Sequence, residues 1–137
     1  MKYSWLFFHS KEVMSYVNHK IERNAIGVDV NPEDIKLSNS NLNFSSHSIS
    51  KVFTWQGSAR DLFFIKSNSI DMICTHPPYA DIIKYSHGIE GDISYLHYSE
   101  FLSAMGDVTQ ESYRVLKTQS ICAFMIADVR EKIMFGF

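Results

Sequence analysis

The stretch Asp71-Met72-Ile73-Cys74-Thr75-His76-Pro77-Pro78-Tyr79 holds the residue types best placed to do chemistry. Ile70, Met72, Ile73 and Cys74 form a short apolar run, the mark of a strand covered on both faces in a parallel sheet. Pro77 and Pro78 cannot donate ladder hydrogen bonds and each fixes its own φ, so the strand ends there. A stiff loop follows, at the carboxyl end of the strand, where open parallel α/β sheets bind ligands. It suits one difficult reaction, methylation of an exocyclic amino group on a base. That nitrogen is a poor nucleophile because its lone pair is delocalised into the ring. Two acceptors that take its two hydrogens favour the pyramidal, nucleophilic form. The Pro77 carbonyl is one candidate, and His76 is the other while its imidazole is neutral and in the accepting tautomer. Tyr79 would stack on a base flipped out of its duplex. The same residues would also make a plain strand-ending proline turn.

The surrounding elements have to bring this loop to a ligand. Tyr3 to Phe8 reads as a short strand, and Ser10 as the cap of a helix carrying Val13, Met14, Val17 and Ile21. Ala25-Ile26-Gly27-Val28-Asp29-Val30 is a buried strand ending on an acid. Asn31 then caps a helix, with Pro32 at its first position and Glu33 and Asp34 in its first turn. Ser38 to Ser50, rich in Ser and Asn, reads as a surface connection. Lys51 to Trp55 is a strand closed by the glycine turn Gln56-Gly57-Ser58-Ala59-Arg60-Asp61-Leu62. Ala80 to His97, with Gly88 and Gly91, reads as a substrate-facing loop. Ser99 is expected to cap a helix with Phe101, Leu102, Met105, Val108, Tyr113, Val115 and Leu116 inward and Lys117 at its close. Ser120 to Ala127 is the last strand. Strands alternating with helices predict an α/β protein with a mostly parallel sheet.

Composition narrows the classes. A chain of 137 residues with 45% apolar and 14% aromatic side chains is one globular domain. Its net charge of −2 gives no overall attraction to nucleic acid. Cys74 and Cys122 lie in apolar runs and read as two buried, reduced thiols. The six histidines show no ligand spacing, so no metal is expected. No apolar run reaches membrane-spanning length, and Trp5 to Phe8 is too short for a signal peptide, so a cytoplasmic address is expected.

His76-Pro77-Pro78-Tyr79 resembles motif IV, Asp/Asn/Ser-Pro-Pro-Tyr, of the S-adenosylmethionine-dependent DNA amino-methyltransferases, with His in place of the usual first residue. Ile26 to Glu33 is similar to that family's motif II, whose acid holds the cofactor ribose; at Asp29 the alternative is a cap for the helix at Pro32. Gly57 to Leu62 looks like motif III, where Ser58 replaces the acid that usually receives the cofactor's amino group; the alternative is a plain glycine turn. Tyr113 to Lys117 is typical of class I methyltransferases. The resemblance implies a class I, Rossmann-like methyltransferase fold over residues 1–137, a single partial domain incomplete at both ends. It implies catalysis by His76, Pro77, Pro78 and Tyr79, and S-adenosyl-L-methionine held by Asp29, Gly27, Gly57, Ser58 and Thr75. The implied substrate is adenine or cytosine in DNA, as in restriction-modification systems, with an RNA base as the rival substrate. The family's Phe-x-Gly-x-Gly cofactor loop would fall at Phe8 to Glu12, where Ser10 and Glu12 occupy the glycine positions. Side chains there obstruct a close backbone approach. That departure predicts weak cofactor binding, a complementing subunit or self-association that supplies the loop, or a catalytically silent interaction domain.

Overall fold

The computed structural model describes residues 4–8, 23–42, 50–79, 84 and 86–126. The helix expected from Ser10 lies outside them. Five strands, β1 (Ser4–Phe8), β2 (Asn24–Asp29), β3 (Val52–Gln56), β4 (Ile70–Thr75) and β5 (Leu116–Phe124), form one sheet in the order β3-β2-β1-β4-β5. Every pairing is parallel, as the alternation of strands and helices predicts. In register, Phe8 faces Val28 and Thr75, Asp29 faces Gln56, and Thr75 faces Phe124. All five carboxyl ends therefore share one edge.

Helix α1 (Pro32–Leu42) follows β2 and helix α2 (Tyr98–Val115) precedes β5. The expected start signal of α1 is present: Asn31 Oδ1 accepts the Glu33 amide at 3.0 Å. Successive strand residues point to opposite faces of a sheet, which places the two helices. Thr54 donates to Asn39 of α1 at 2.8 Å, while its neighbour Phe53 turns its ring toward Phe64 on the other side. On that other side Leu6, Val28 and Ile73 join Leu62, Ile65, Ile70 and, from α2, Val108 and Val115 in one buried cluster. Fully burying each such aliphatic side chain is worth about 1.5–3 kcal/mol.

Several expectations change. Ser38 to Leu42 continue α1 instead of forming a connection, and Ser38 is buried. Helix α2 starts at Tyr98, with His97 as its cap donating its amide to Glu100 Oε2 at 3.3 Å; Ser99 sits inside the first turn. Its buried stripe is Ala104, Val108, Ser112 and Val115, whereas Leu102 and Tyr113 are exposed. Two of the four are small, and a search for large apolar side chains passes over them. Lys117 does not close the helix but lies in β5, which begins at Leu116, and it meets Asp71 at 2.7 Å. Cys74 is half-buried and Cys122 exposed, both free; β5 is the last strand of the described sheet. Among the described residues no helix is long and apolar enough to cross a membrane.

The segment between β3 and β4 is fastened to α2 at two places: Arg60 pairs with Asp107 at 2.7 Å, and the Arg114–Glu111 pair within the helix reaches across to the segment's backbone. Arg114 Nε and Nη2 each donate to Glu111 at 2.8 Å, and Nη1 and Nη2 also donate to the Ile65 and Leu62 carbonyls at 2.9 Å. Glu111 accepts the Leu62 amide at 2.7 Å. The Arg114 hydrogen bond holds the Glu111 carboxyl below its ordinary value of 4.5, and the same bond raises Arg114. A carboxyl lowered on folding stabilises the native state above its unfolded value, and that contribution is lost as pH falls through the folded value. Arg114→Met should therefore cost about 2–3 kcal/mol in urea unfolding at neutral pH, and the difference from wild type should shrink in acid below the carboxylate range. A difference independent of pH would place the loss in packing instead.

Candidate functional site

Strand β2 delivers Asp29 to the shared carboxyl edge, half-buried, where its Oδ1 accepts the Asn31 amide at 2.8 Å. The backbone beside it is locked, since the Gly57 amide donates to the Asp29 carbonyl at 2.9 Å. The capping and ligand readings of Asp29 are thus compatible: one bond orients a carboxylate that has about four lone-pair positions. After β3 the chain turns sharply. Ser58 Oγ accepts the Arg60 amide at 3.2 Å and its carbonyl accepts the Asp61 amide at 3.1 Å. Ser58 is therefore engaged in shaping the turn. A Cβ on Gly57 would come within 2.9 Å of Trp55 Nε1. Trp55 has little freedom to retreat, because it stacks on Phe64 at 4.4 Å and meets Phe63 edge-on at 5.8 Å.

The proline loop leaves β4 from a buried Thr75, whose carbonyl accepts the Met125 amide at 2.9 Å. His76 is exposed and Pro77, Pro78 and Tyr79 are half-buried. His76 Nε2 lies 3.3 Å from the Tyr79 hydroxyl, with the rings edge-on at 5.8 Å. When that hydroxyl donates, Nε2 is the accepting nitrogen of the neutral ring, and the tyrosine occupies the acceptor that an amino group would need. The contact is long for a hydrogen bond to oxygen and is open to exchange.

One cleft gathers these ends. It is lined by Val28 to Asn31, Gly57 to Arg60, Pro78, Ser86, Gly91 to Ile93 and Val108. Of the residues read from sequence, it brings together Asp29, Gly57, Ser58 and Pro78. His76, Pro77 and Tyr79 flank Pro78 without lining it. Gly27 and Thr75 do not line the cleft: both are buried within the sheet, paired with Phe7 and with Phe8 and Phe124 respectively. Ser10 and Glu12 lie outside the described residues. Among the described residues no group of three or more metal-ligating side chains forms.

The facing wall comes from the segment at 86–96, read from sequence only as substrate-facing. Asp92 braces it, with Oδ2 accepting Ser86 Oγ at 2.6 Å and Oδ1 accepting the Ser94 amide and hydroxyl at 2.9 and 2.6 Å. The Tyr95 hydroxyl closes the brace on the Ser86 carbonyl. Gly91 has φ of 90°, and a Cβ there would stand 3.2 Å from Val30 Cγ1, so the wall rests on the end of β2. The Asp92-x-Ser94 spacing, a side chain closing a turn on its own backbone, is the signal that would have located this brace. Val28, Val30, Ala59, Pro78, Ile93 and Val108 make the cleft largely apolar, with the Asp29 carboxylate at one side. That arrangement accepts a flat ring system attached to a hydroxylated group.

No protein-family model matches the chain, and no curated protein matches its sequence. Solved structures do match. YcgJ from Bacillus subtilis aligns at TM-score 0.58 and 18% identity, over 87% of this chain and 42% of its own. A candidate sarcosine dimethylglycine methyltransferase from Galdieria sulphuraria aligns at 0.61 and 18%, over 90% and 39%. PKMT2 from Rickettsia typhi, solved in complex with AdoHcy, aligns at 0.57 and 13%, over 88% and 20%. The fold is that of class I methyltransferases. The chain spans less than half the length of each of these three structures, and at such identities the likeness concerns the methyltransferase fold alone.

Gly57→Ala should shift the Trp55 ring and weaken the cleft wall, at a cost of about 1–3 kcal/mol. Thermal unfolding, with tryptophan emission followed in the native state, checks this. An unchanged melting temperature and spectrum would mean that the turn yields instead of the ring.

Proposed function

We propose that the chain binds S-adenosyl-L-methionine in this cleft and serves methyl transfer to the exocyclic amino group of adenine or cytosine in DNA. The observation that carries this reading is Asp29 and Pro78 lining one cleft at the carboxyl edge of the parallel sheet. The largely apolar lining with one carboxylate at its side supports binding of the cofactor's adenosine part. Asp29 would accept the ribose hydroxyls, and Val30, Ala59 and Ile93 would cover the purine. PKMT2, which has the same fold, was solved with AdoHcy, and that supports the choice of cofactor. When bound, the cofactor would supply an electrophilic methyl to the exocyclic amino nitrogen.

The chain's residues act on the nucleophile. The Pro77 carbonyl and neutral His76 would accept hydrogen bonds from the two amino hydrogens, one of which would leave as a proton to His76 once the nitrogen is methylated, and Tyr79 would stack on the extruded base. For this the Tyr79 hydroxyl must give up its place at His76 Nε2, so the arriving base exchanges one contact for another. Two observations favour the rival reading, a silent domain that interacts without catalysing. The His76–Tyr79 contact is one. The other is Ser58, bound into its own turn where the resembled family has an acid.

Asp29→Asn keeps an acceptor for the Asn31 amide and removes the charge. It should weaken S-adenosylmethionine binding by roughly 10- to 100-fold, the loss of about 1.5–3 kcal/mol for a charged hydrogen bond. Tyr79→Ala should leave cofactor affinity unchanged and slow single-turnover methylation of a DNA oligonucleotide by the loss of roughly 1–3 kcal/mol of stacking. Calorimetry and transfer of labelled methyl to DNA and RNA oligonucleotides check both. Cofactor binding indifferent to Asp29, or transfer to RNA alone, would sink the proposal. Binding without transfer to either would decide for the silent domain.

A further inference from the structure

At the opposite edge of the sheet, where β4 and β5 begin, lies a second groove of about 630 Å³, lined by Ser67, Asn68, Tyr113, Arg114, Leu116 and residues 117–120. Its backbone is unusual. Among the described residues, the only non-glycine positions with positive φ are Asn68 at 54° and Gln119 at 66°, and both line this groove. Asparagine tolerates that region, but for glutamine it costs about 1–2 kcal/mol. Gln119 sits in a break of the ladder: Ile70 pairs with Leu116 and Met72 with Ile121, so five steps along β5 answer two along β4. Bulges of this kind re-aim side chains and gather beside functional sites.

The lining chemistry is specific. Tyr113 is 85% exposed at the rim, an aromatic ring with no packing role. The two side-chain amides, Asn68 and Gln119, make no hydrogen bond to another described residue, and the hydroxyls of Thr118 and Ser120 stand beside them. Both cations are compensated, Arg114 by Glu111 at 2.8 Å and Lys117 by Asp71 at 2.7 Å. The groove therefore offers little net charge to a phosphate. The floor is rigid, because the Asn68 and Ser69 amides donate to the Arg114 and Val115 carbonyls at 3.0 and 2.8 Å.

We infer that this groove is a nucleoside site, with a base stacked on Tyr113, the Asn68 and Gln119 amides on its edge and the Thr118 and Ser120 hydroxyls toward the sugar. An amide side chain presents a donor and an acceptor together, the pair that matches N6 and N7 of adenine, so adenosine is the preferred ligand. The site is independent of methyl transfer and faces away from the first cleft.

Titration of the labelled full chain with adenosine, followed by amide chemical shifts, tests the inference. Shifts at residues 113–120 should appear and survive in Asp29→Asn, which disables the first cleft. Tyr113→Ala, a change at an exposed position, should weaken them at least about fivefold. Gln119→Gly keeps the left-handed backbone and removes the amide, so it should narrow the preference for adenosine over uridine. Oligo(dA) forms the second arm: tighter binding than adenosine places the base on a strand, and equal or weaker binding places it on a free nucleoside, the site standing either way. Shifts confined to Asp29, Ser58 and their neighbours, indifference to Tyr113→Ala, or equal shifts with methyl glucoside would overturn the assignment.

Discussion

The guanidinium of Arg114 has five N–H donors in a fixed plane, and the structure uses all of them. They reach two carboxylate oxygens of Glu111, the Leu62 and Ile65 carbonyls and the Ser67 hydroxyl. Few other groups could hold an irregular segment at so many points, since lysine has three donors and no planar geometry. Through this clamp the last turn of α2 fixes the path of the chain from Leu62 to Ser67. That path in turn buries Leu62 and Ile65 against the sheet and sets Phe63 and Phe64 around Trp55. Trp55 then leaves room for nothing larger than glycine at position 57. The shape of the first cleft thus descends from an ion pair on another element.

Glycine matters in two places for two different reasons. At Gly57 the limit is the space beside a braced indole. At Gly91 the limit is backbone conformation as well, with φ of 90° and Val30 beneath. Together they bring two loops close enough to line one cleft, while Asp92 supplies the hydrogen bonds that keep the outer loop in shape without a regular element.

Much of the fold was legible in the residue pattern. The apolar runs at Ala25 and Ile70 are strands because covered strands need unbroken apolar sequence, and Asn31-Pro32 starts a helix because the side chain and ring suit the cap and first turn. The meeting of Asp29, Ser58 and Pro78 was legible too, since parallel pairing leaves all carboxyl ends on one edge. The illegible parts depended on partners distant in sequence. Ala104 and Ser112 are too small or polar to mark a core face in the sequence, yet tertiary packing buries both. Gly27 and Thr75 sit in motif-like surroundings, but burial inside the ladder takes them from the cleft. Tyr113 falls on a helical apolar pattern yet turns outward, and nothing local announces that.

The bond from the Asn31 amide to Asp29 has one more consequence. Asn31 also caps α1, so the carboxylate at the cleft and the first turn of that helix share a residue. Any ligand that draws on Asp29 acts on a carboxylate already bonded to the helix entrance through Oδ1. Occupancy and helix end are thermodynamically linked, and the exchange of the Glu33 amide with solvent becomes a remote gauge of what the cleft holds.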